Sequence, residues 1–226
     1  MRTGLLGGTF DPVHVGHLDV ALAARQALGL DEVLVLPAKV PPHRTAGPQT
    51  SAYHRFAMVS LAVLDQPGLA ASDLELRGPA PSYTAATLTR LAGLGRDPLE
   101  LFFITGADAF AEITTWRDYP ALLRFAHFVA VARPGHPVAV LRAKLPALSG
   151  RMIDVETQAA PIGATPATPS IFLIDRLTTD VSSTEIRRRI RDGAPLGGLV
   201  PALVERHIRH HHLYSPLAPA ADDLHG

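Results

Sequence analysis

Cysteine is absent from all 226 residues. That excludes disulfides, thiolate metal sites and a cysteine nucleophile, and it fits a reducing compartment, so a cytoplasmic location is expected. An excess of either charge is also missing, with Lys+Arg 21 against Asp+Glu 21. A balanced chain is neither a nucleic-acid coat protein nor a polybasic membrane binder, although a local phosphate pocket remains open to it. No apolar run approaches the ~20 residues of a membrane span. Met1 leads into a short apolar segment without a basic leader, so no signal peptide is expected. Aromatic residues are few, 6%, and Trp116 is the sole tryptophan. What is present is globular: 47% hydrophobic and 19% charged residues can bury a core, and 20 prolines punctuate many short connections.

Val33–Leu36, Leu101–Ile104, Phe128–Val131 and Ile171–Ile174 are runs apolar on both faces, the pattern of strands covered on both sides. Leu5-Leu6 before Gly7-Gly8 reads as a first strand, and the alternation Asp73-Leu74-Glu75-Leu76 as an edge strand or a half-exposed extension. Between them, Val20, Ala24, Ala27 and Leu28 share a helical face, as do Phe56, Val59 and Val63, and Thr84, Leu88, Leu91 and Ala92. Helix-sized segments also follow Asp118, Pro137, Ser182 and Pro201. The expected fold is α/β: a doubly wound, Rossmann-like parallel sheet with helices on both faces and a C-terminal helical segment. Residues 1–214 are expected to form one domain, 157–170 a loop and 215–226 a flexible tail. The run His210 to His212 could bind metal or mimic a purification tag, but reads rather as a solvated helix end, because no carboxylate or outer-sphere pattern accompanies it.

The segment Gly7-Gly8-Thr9-Phe10-Asp11-Pro12-Val13-His14-Val15-Gly16-His17 carries the most chemistry. It lacks the Gly-Lys-Ser/Thr of a Walker loop and the third glycine of the dinucleotide fingerprint. Gly7-Gly8 lets a ligand approach bare backbone, and Asp11-Pro12 is turn chemistry. His14 and His17, three apart, face the same way on the first turn of a helix, whose free N–H groups suit an anion. Gly16 between them is expected to keep that approach clear. Phosphates would raise the pKa of both rings.

Val181-Ser182-Ser183-Thr184-Glu185-Ile186-Arg187 opens another helix. Ser182 with Glu185 is a capping box; Ser183, Thr184 and Arg187 add hydroxyls and a guanidinium suited to polyphosphate. Elsewhere, Lys39, His43 and Arg44 stand on a proline-stiffened loop that either holds phosphate or faces water. Ser82 before Tyr83-Thr84 is an N-cap candidate, and Trp116 a packing anchor or a stacking platform. Asp108, after Gly106, is either a ribose-hydroxyl acceptor or an N-cap. Arg133-Pro134-Gly135 follows the strand at 128–131.

The glycine-histidine segment resembles the (H/T)xGH nucleotidyltransferase signature, which also admits pantetheine-phosphate adenylyltransferases and cytidylyltransferases. With the remaining motifs in order over roughly residues 3 to 214, the chain resembles the bacterial nicotinate-nucleotide adenylyltransferases. The resemblance implies adenylyl transfer from ATP to nicotinate mononucleotide, giving nicotinate adenine dinucleotide and pyrophosphate. Specificity for nicotinamide mononucleotide or for both, and a non-catalytic nucleotide sensor, stand as alternatives. It implies His17 at the α-phosphate with His14 in support. ATP would be held by Gly7, Gly8, Thr9, Phe10, His14, His17, Gly106, Asp108, Ser182, Ser183, Thr184 and Arg187. The mononucleotide would meet Lys39, His43, Ser82, Tyr83, Thr84, Trp116 and Arg133. Val181 takes the first place of the family's phosphate-helix motif, and Arg117 departs from the aromatic seen after the tryptophan in some relatives. Mg2+ would arrive on the ATP phosphates and keep its waters, since no carboxylate cage is apparent. Assembly with further copies is left open, and neither nucleic acid nor membrane is an expected partner.

Overall fold

Seven apolar segments pair, all in parallel, into a single sheet: β1 (Thr3–Gly8), β2 (Glu32–Pro37), β3 (Leu69–Ala71), β4 (Leu101–Gly106), β5 (His127–Val131), β6 (Met152–Val155) and β7 (Ile171–Ile174), in the order β3-β2-β1-β4-β5-β7-β6. The computed structural model describes residues 1–42, 47–155, 165–176 and 178–215. Seven helices accompany the strands among the described residues: α1 (Val15–Leu28), α2 (Ala52–Val63), α3 (Thr84–Gly93), α4 (Ala107–Phe110), α5 (Leu141–Lys144), α6 (Ser183–Arg191) and α7 (Ala202–His210).

Side chains alternate across each strand, so the sheet separates two cores. On one side Leu6, Val35, Ile104 and Val131 pack with Leu28, Met58, Ile186 and Val204 from α1, α2, α6 and α7. On the other, Leu5, Leu36, Phe103 and Phe128 pack with Leu88, Phe110 and Leu141 from α3, α4 and α5. Each such side chain, fully buried, contributes roughly 1.5–3 kcal/mol. The strand order runs outward one way through β1, β2 and β3 and the other way from β4. The crevice beyond the β1 and β4 C-termini is therefore the switch point where doubly wound sheets bind ligands.

The doubly wound architecture matches the sequence expectation, with four corrections. Asp73–Leu76 is not a strand: Arg77 N–H donates to the Asp73 carbonyl (3.1 Å) and the two side chains pair, closing a helical turn, while the edge strand β3 lies just before it. The segment after Asp118 forms only a short 3-10 turn, Ala121–Arg124. That after Pro137 forms a 3-10 turn running into the one-turn helix α5. The buried face of α2 is Arg55, Met58, Val59, Ala62 and Val63, leaving Phe56 at its margin. Of the expected loop at 157–170, residues 165–170 carry no helix or strand. The tail beyond 215 lies outside the described residues, as do His43 and Arg44.

Candidate active site

His14 is the N-cap of α1, with extended backbone, and His17 lies one turn in. The rings stack at 3.6 Å between centroids and 23° between planes, and the Phe10 ring meets His17 edge-on at 4.9 Å. The His14 backbone N–H donates to His17 Nδ1 at 3.2 Å. His14 is 1% exposed, its Nδ1 buried with no hydrogen-bond partner, whereas His17 is half-buried. Withdrawal from water and the Arg133 charge lower His14 to about 3, against the pull of Asp19. Desolvation, His14 and Arg133 hold His17 well below the ordinary imidazole range. Both rings are neutral at pH 7 in the free protein.

Two glycines around these rings have steric reasons. A Cβ on Gly8 would lie 2.8 Å from the Phe10 ring. A Cβ on Gly16 would lie 3.0 Å from the Thr179 carbonyl and 3.1 Å from Val181 Cγ1. Gly16 thus lets the segment leading into α6 press against α1, a packing role beside the expectation that it clears a ligand's path. Phe10 is 2% exposed, at φ 52°, with its ring packed against His17.

The loop between β1 and α1 is fixed by buried polar groups that sequence patterning missed. Arg55, 1% exposed on α2, donates to the carbonyls of Thr9 (2.8 Å), Lys39 (3.1 Å) and Thr50 (3.4 Å), joining the loops after β1 and β2. Asp11, equally buried, accepts from Gln49 N–H and from the Tyr214 hydroxyl, both at 2.8 Å. Arg187 donates to the Asp11 carbonyl at 2.6 Å and to Thr184 Oγ1 at 3.2 Å, while its Nε is buried without a partner. Ser183 Oγ donates to the Pro12 carbonyl at 2.9 Å. The helix α6 is thereby docked onto the glycine-histidine loop. Ser182 caps α6 by accepting from Glu185 N–H at 3.2 Å. The return arm of the expected capping box is replaced, because the Glu185 carboxylate pairs with Arg188 and Arg189.

At the switch point opens a cavity of about 290 Å³. Gly7, Gly8 and Thr9 form one wall, Ser82, Tyr83 and Thr84 another, and Phe103, Thr105 and Trp116 the floor and side. Trp116 meets Phe103 edge-on (6.0 Å, 86°), which leaves the indole to wall the cavity. Tyr83 is the N-cap of α3 and makes no side-chain cap, so the N–H groups opening this helix are uncapped, and Tyr83, Thr84 and Ala85 line the cavity. Ser82 is not that cap; its Oγ accepts from Lys39 N–H at 2.9 Å. Lys39 is exposed, and its Nζ donates to the Gly78 carbonyl at 3.3 Å, outside the cavity lining. Arg117, the departure from the family pattern, lays its guanidinium 4.8 Å from the Tyr83 ring centroid at the mouth. Glu75, unforeseen from sequence, is a buried acid in the same wall. Desolvation raises its carboxyl above the usual range, against hydrogen bonds from Thr87 and Ser82.

Beside the histidines, Arg133 Nη1 pairs with Asp108 Oδ2 at 3.3 Å. Asp108 lies in the first turn of α4, whose N-cap is Gly106, so the N-cap alternative for Asp108 is excluded. Its Oδ1 is buried without a partner. Arg133 belongs with Asp108 and the two imidazoles rather than with Trp116 and Tyr83.

A family model described as cytidylyltransferase-like matches residues 5–189. The "Probable nicotinate-nucleotide adenylyltransferase" of Desulfatibacillum aliphaticivorans is 39% identical over 222 residues, covering 95% of this chain and 100% of that protein. Its namesake from Thermus thermophilus is 41% identical over 95% of this chain and 100% of its own length. Among solved structures, the Plasmodium falciparum nicotinic acid mononucleotide adenylyltransferase complexed with NaAD superposes with a TM-score of 0.70 at 17% identity, covering 94% of this chain and 97% of that one. At that identity the superposition supports the fold.

Proposed function

This chain belongs to the cytidylyltransferase-like nucleotidyltransferases and, within them, to the nicotinate-nucleotide adenylyltransferases, and from that premise we propose how its own residues perform the reaction. The reaction is transfer of the adenylyl group of ATP to nicotinate mononucleotide, yielding nicotinate adenine dinucleotide and pyrophosphate. The nucleophile is the mononucleotide's 5′-phosphate, already ionised at neutral pH, so no general base and no covalent intermediate are needed. Catalysis is alignment plus stabilisation of charge on the α-phosphate and the departing pyrophosphate.

The observation that carries this reading is the His14 N–H donated to His17 Nδ1. It commits the Nδ1 lone pair, so the neutral His17 ring carries its proton on Nε2. That N–H is a fixed donor for an α-phosphate oxygen. His14, buried behind it, orients the ring by stacking and by this backbone bond. Thr184 and Arg187 face the leaving end, with the Arg187 Nε and the opening N–H groups of α6 as donors. Asp108 Oδ1 accepts a ribose hydroxyl. The mononucleotide occupies the cavity between Trp116 and the start of α3, its ring against the indole and its carboxylate on the α3 N–H groups.

Mg2+ belongs to the ATP as substrate. Asp11 is committed to Gln49 and Tyr214, Asp19 to Thr179 and one oxygen of Asp108 to Arg133, and imidazoles are poor magnesium ligands. The ion is therefore held by phosphate oxygens and water. The test is product formation from ATP, magnesium and nicotinate mononucleotide, following dinucleotide and pyrophosphate together. Equimolar release of both supports the proposal; binding of the two substrates without product overturns it in favour of a sensor.

A further inference from the structure

A second cluster of imidazoles lies away from the cavity, where α2 packs on α7. His54 is in the first turn of α2, its backbone N–H held by Ser51 Oγ at 3.3 Å. His207 and His211 are four residues apart on α7 and at its C-cap, so they project from the same face. His54 Nδ1 and His207 Nε2 are 3.1 Å apart, and one ring nitrogen from each of the three residues lies within 4.8 Å of the others. We propose that His54, His207 and His211 form a three-imidazole site for a zinc-class divalent cation, separate from the magnesium carried by ATP.

The argument is one of donor type and spacing. Zinc–nitrogen bonds of about 2.0–2.1 Å in a tetrahedron place ligand nitrogens roughly 3.3–3.4 Å apart. One pair already stands near that distance, and the widest separation closes with a small ring rotation. Three neutral nitrogens with no carboxylate suit zinc, copper or nickel and not magnesium or calcium. His211 is exposed, which leaves room for water at the fourth position.

The third ligand is also anchored. Past the end of α7, Leu213 N–H returns to the Ile208 carbonyl (3.0 Å), Leu213 is buried, and the Tyr214 hydroxyl reaches Asp11. His210 to His212 are all exposed at the end of α7, as the sequence suggests, and of the three only His211 joins the cluster. A bound ion would fasten α7 to α2.

The test is titration of the full-length, metal-free protein with Co2+ in excess magnesium, followed by Zn2+ displacement. One saturable equivalent with the intense visible bands of tetrahedral cobalt, displaced by zinc, is expected. Loss of an outer-sphere partner alone typically costs about 10–100-fold in metal affinity, so His54→Gln and His211→Gln should each weaken binding by roughly a hundredfold. The double variant H210Q/H212Q should bind as the parent does. Zinc at a hundredfold excess over its dissociation constant should raise the melting temperature by about 5 °C in the parent and not in His211→Gln. Absence of saturable binding overturns the proposal, as does loss in H210Q/H212Q with retention in His54→Gln. Should His54→Gln fail to fold, His211→Gln, altered at an exposed position, decides by the same measurement.

Discussion

The ring of His17 lies against that of His14 in a near-parallel stack, and the backbone N–H of His14 occupies its Nδ1. A single turn of helix therefore sets the position of the His17 imidazole and also its tautomer. His17→Ala should fold and lose turnover by about 10²–10³-fold, the usual cost of one charge-stabilising donor. Turnover at saturating substrates within a few-fold of the parent would remove His17 from the chemistry.

The neutrality of these rings gives two pH expectations. Because His17 acts as a neutral Nε2–H donor, kcat should be flat from about pH 7 to 9; a decline as pH rises through the imidazole range would require a cationic ring instead. Stability runs the other way. His14 is lowered from 6.5 to about 3, so between those values the unfolded chain binds more protons than the folded one. Stability contributed by the neutral ring is present above 6.5 and is lost as pH falls through that window. Thermal midpoints measured from about pH 7 to 4 should fall less steeply in His14→Gln.

Arg55 holds the two loops that shape the site, so Arg55→Met should leave three carbonyls, one buried and two part-buried, short of a donor. Unsatisfied buried groups cost about 1–3 kcal/mol each, in part relieved by water. A melting temperature lower by several degrees and a raised KM for both substrates are expected. A variant with parental stability and KM would show that Thr9 and Lys39 hold their places unaided.

Arg187 joins the Asp11 carbonyl to Thr184 outside the cavity that Trp116 lines, at the end where the proposed reading puts ATP. Arg187→Lys, which keeps the charge but not the fork, should weaken ATP at least about tenfold more than nicotinate mononucleotide in calorimetric titrations. Equal losses for both ligands would place its effect in the scaffold.

The uncapped start of α3 favours an anion in the cavity. A carboxamide would set its NH₂ against those donors, at a cost of ~1–3 kcal/mol, so kcat/KM for the acid mononucleotide should exceed that for the amide by tens-fold. Glu75→Gln removes an acid from the same wall and should sharpen the preference. Equal kcat/KM values would sink the carboxylate assignment and leave adenylyl transfer intact.

Where apolar residues repeat, the chain announced its structure: β2, β4, β5 and β7 are near-continuous apolar runs, and the helical stripe of α1 ends at Gly29. The strand β3 was hidden because Leu69-Ala70-Ala71 is too short to carry a period. The alternation at Asp73–Leu76 misled because Glu75 is buried by a turn and by Thr87, not by a sheet. Residues with unusual chemistry at the site, His14, His17, Ser183 and Arg187, could be read from local spacing. Arg55 could not, since hydrophobic patterning assigns a charge to the surface. Its signal was an arginine set in register with Met58, Val59 and Ala62 on a core-facing stripe. The histidine cluster was illegible because His54 is 153 residues from His207 and only the docking of two helices unites them.

The bond between Asp11 and Tyr214 spans 203 positions. The loop between β1 and α1 thus obtains one of its fixed contacts only from a residue translated some two hundred positions after it. Closing so long a stretch of chain is entropically slow compared with local pairing, which puts the loop among the late events of maturation. During synthesis the nucleotide crevice would exist in outline well before it could grip a triphosphate, and a growing chain would be spared from sequestering ATP until its C-terminal helices were in place.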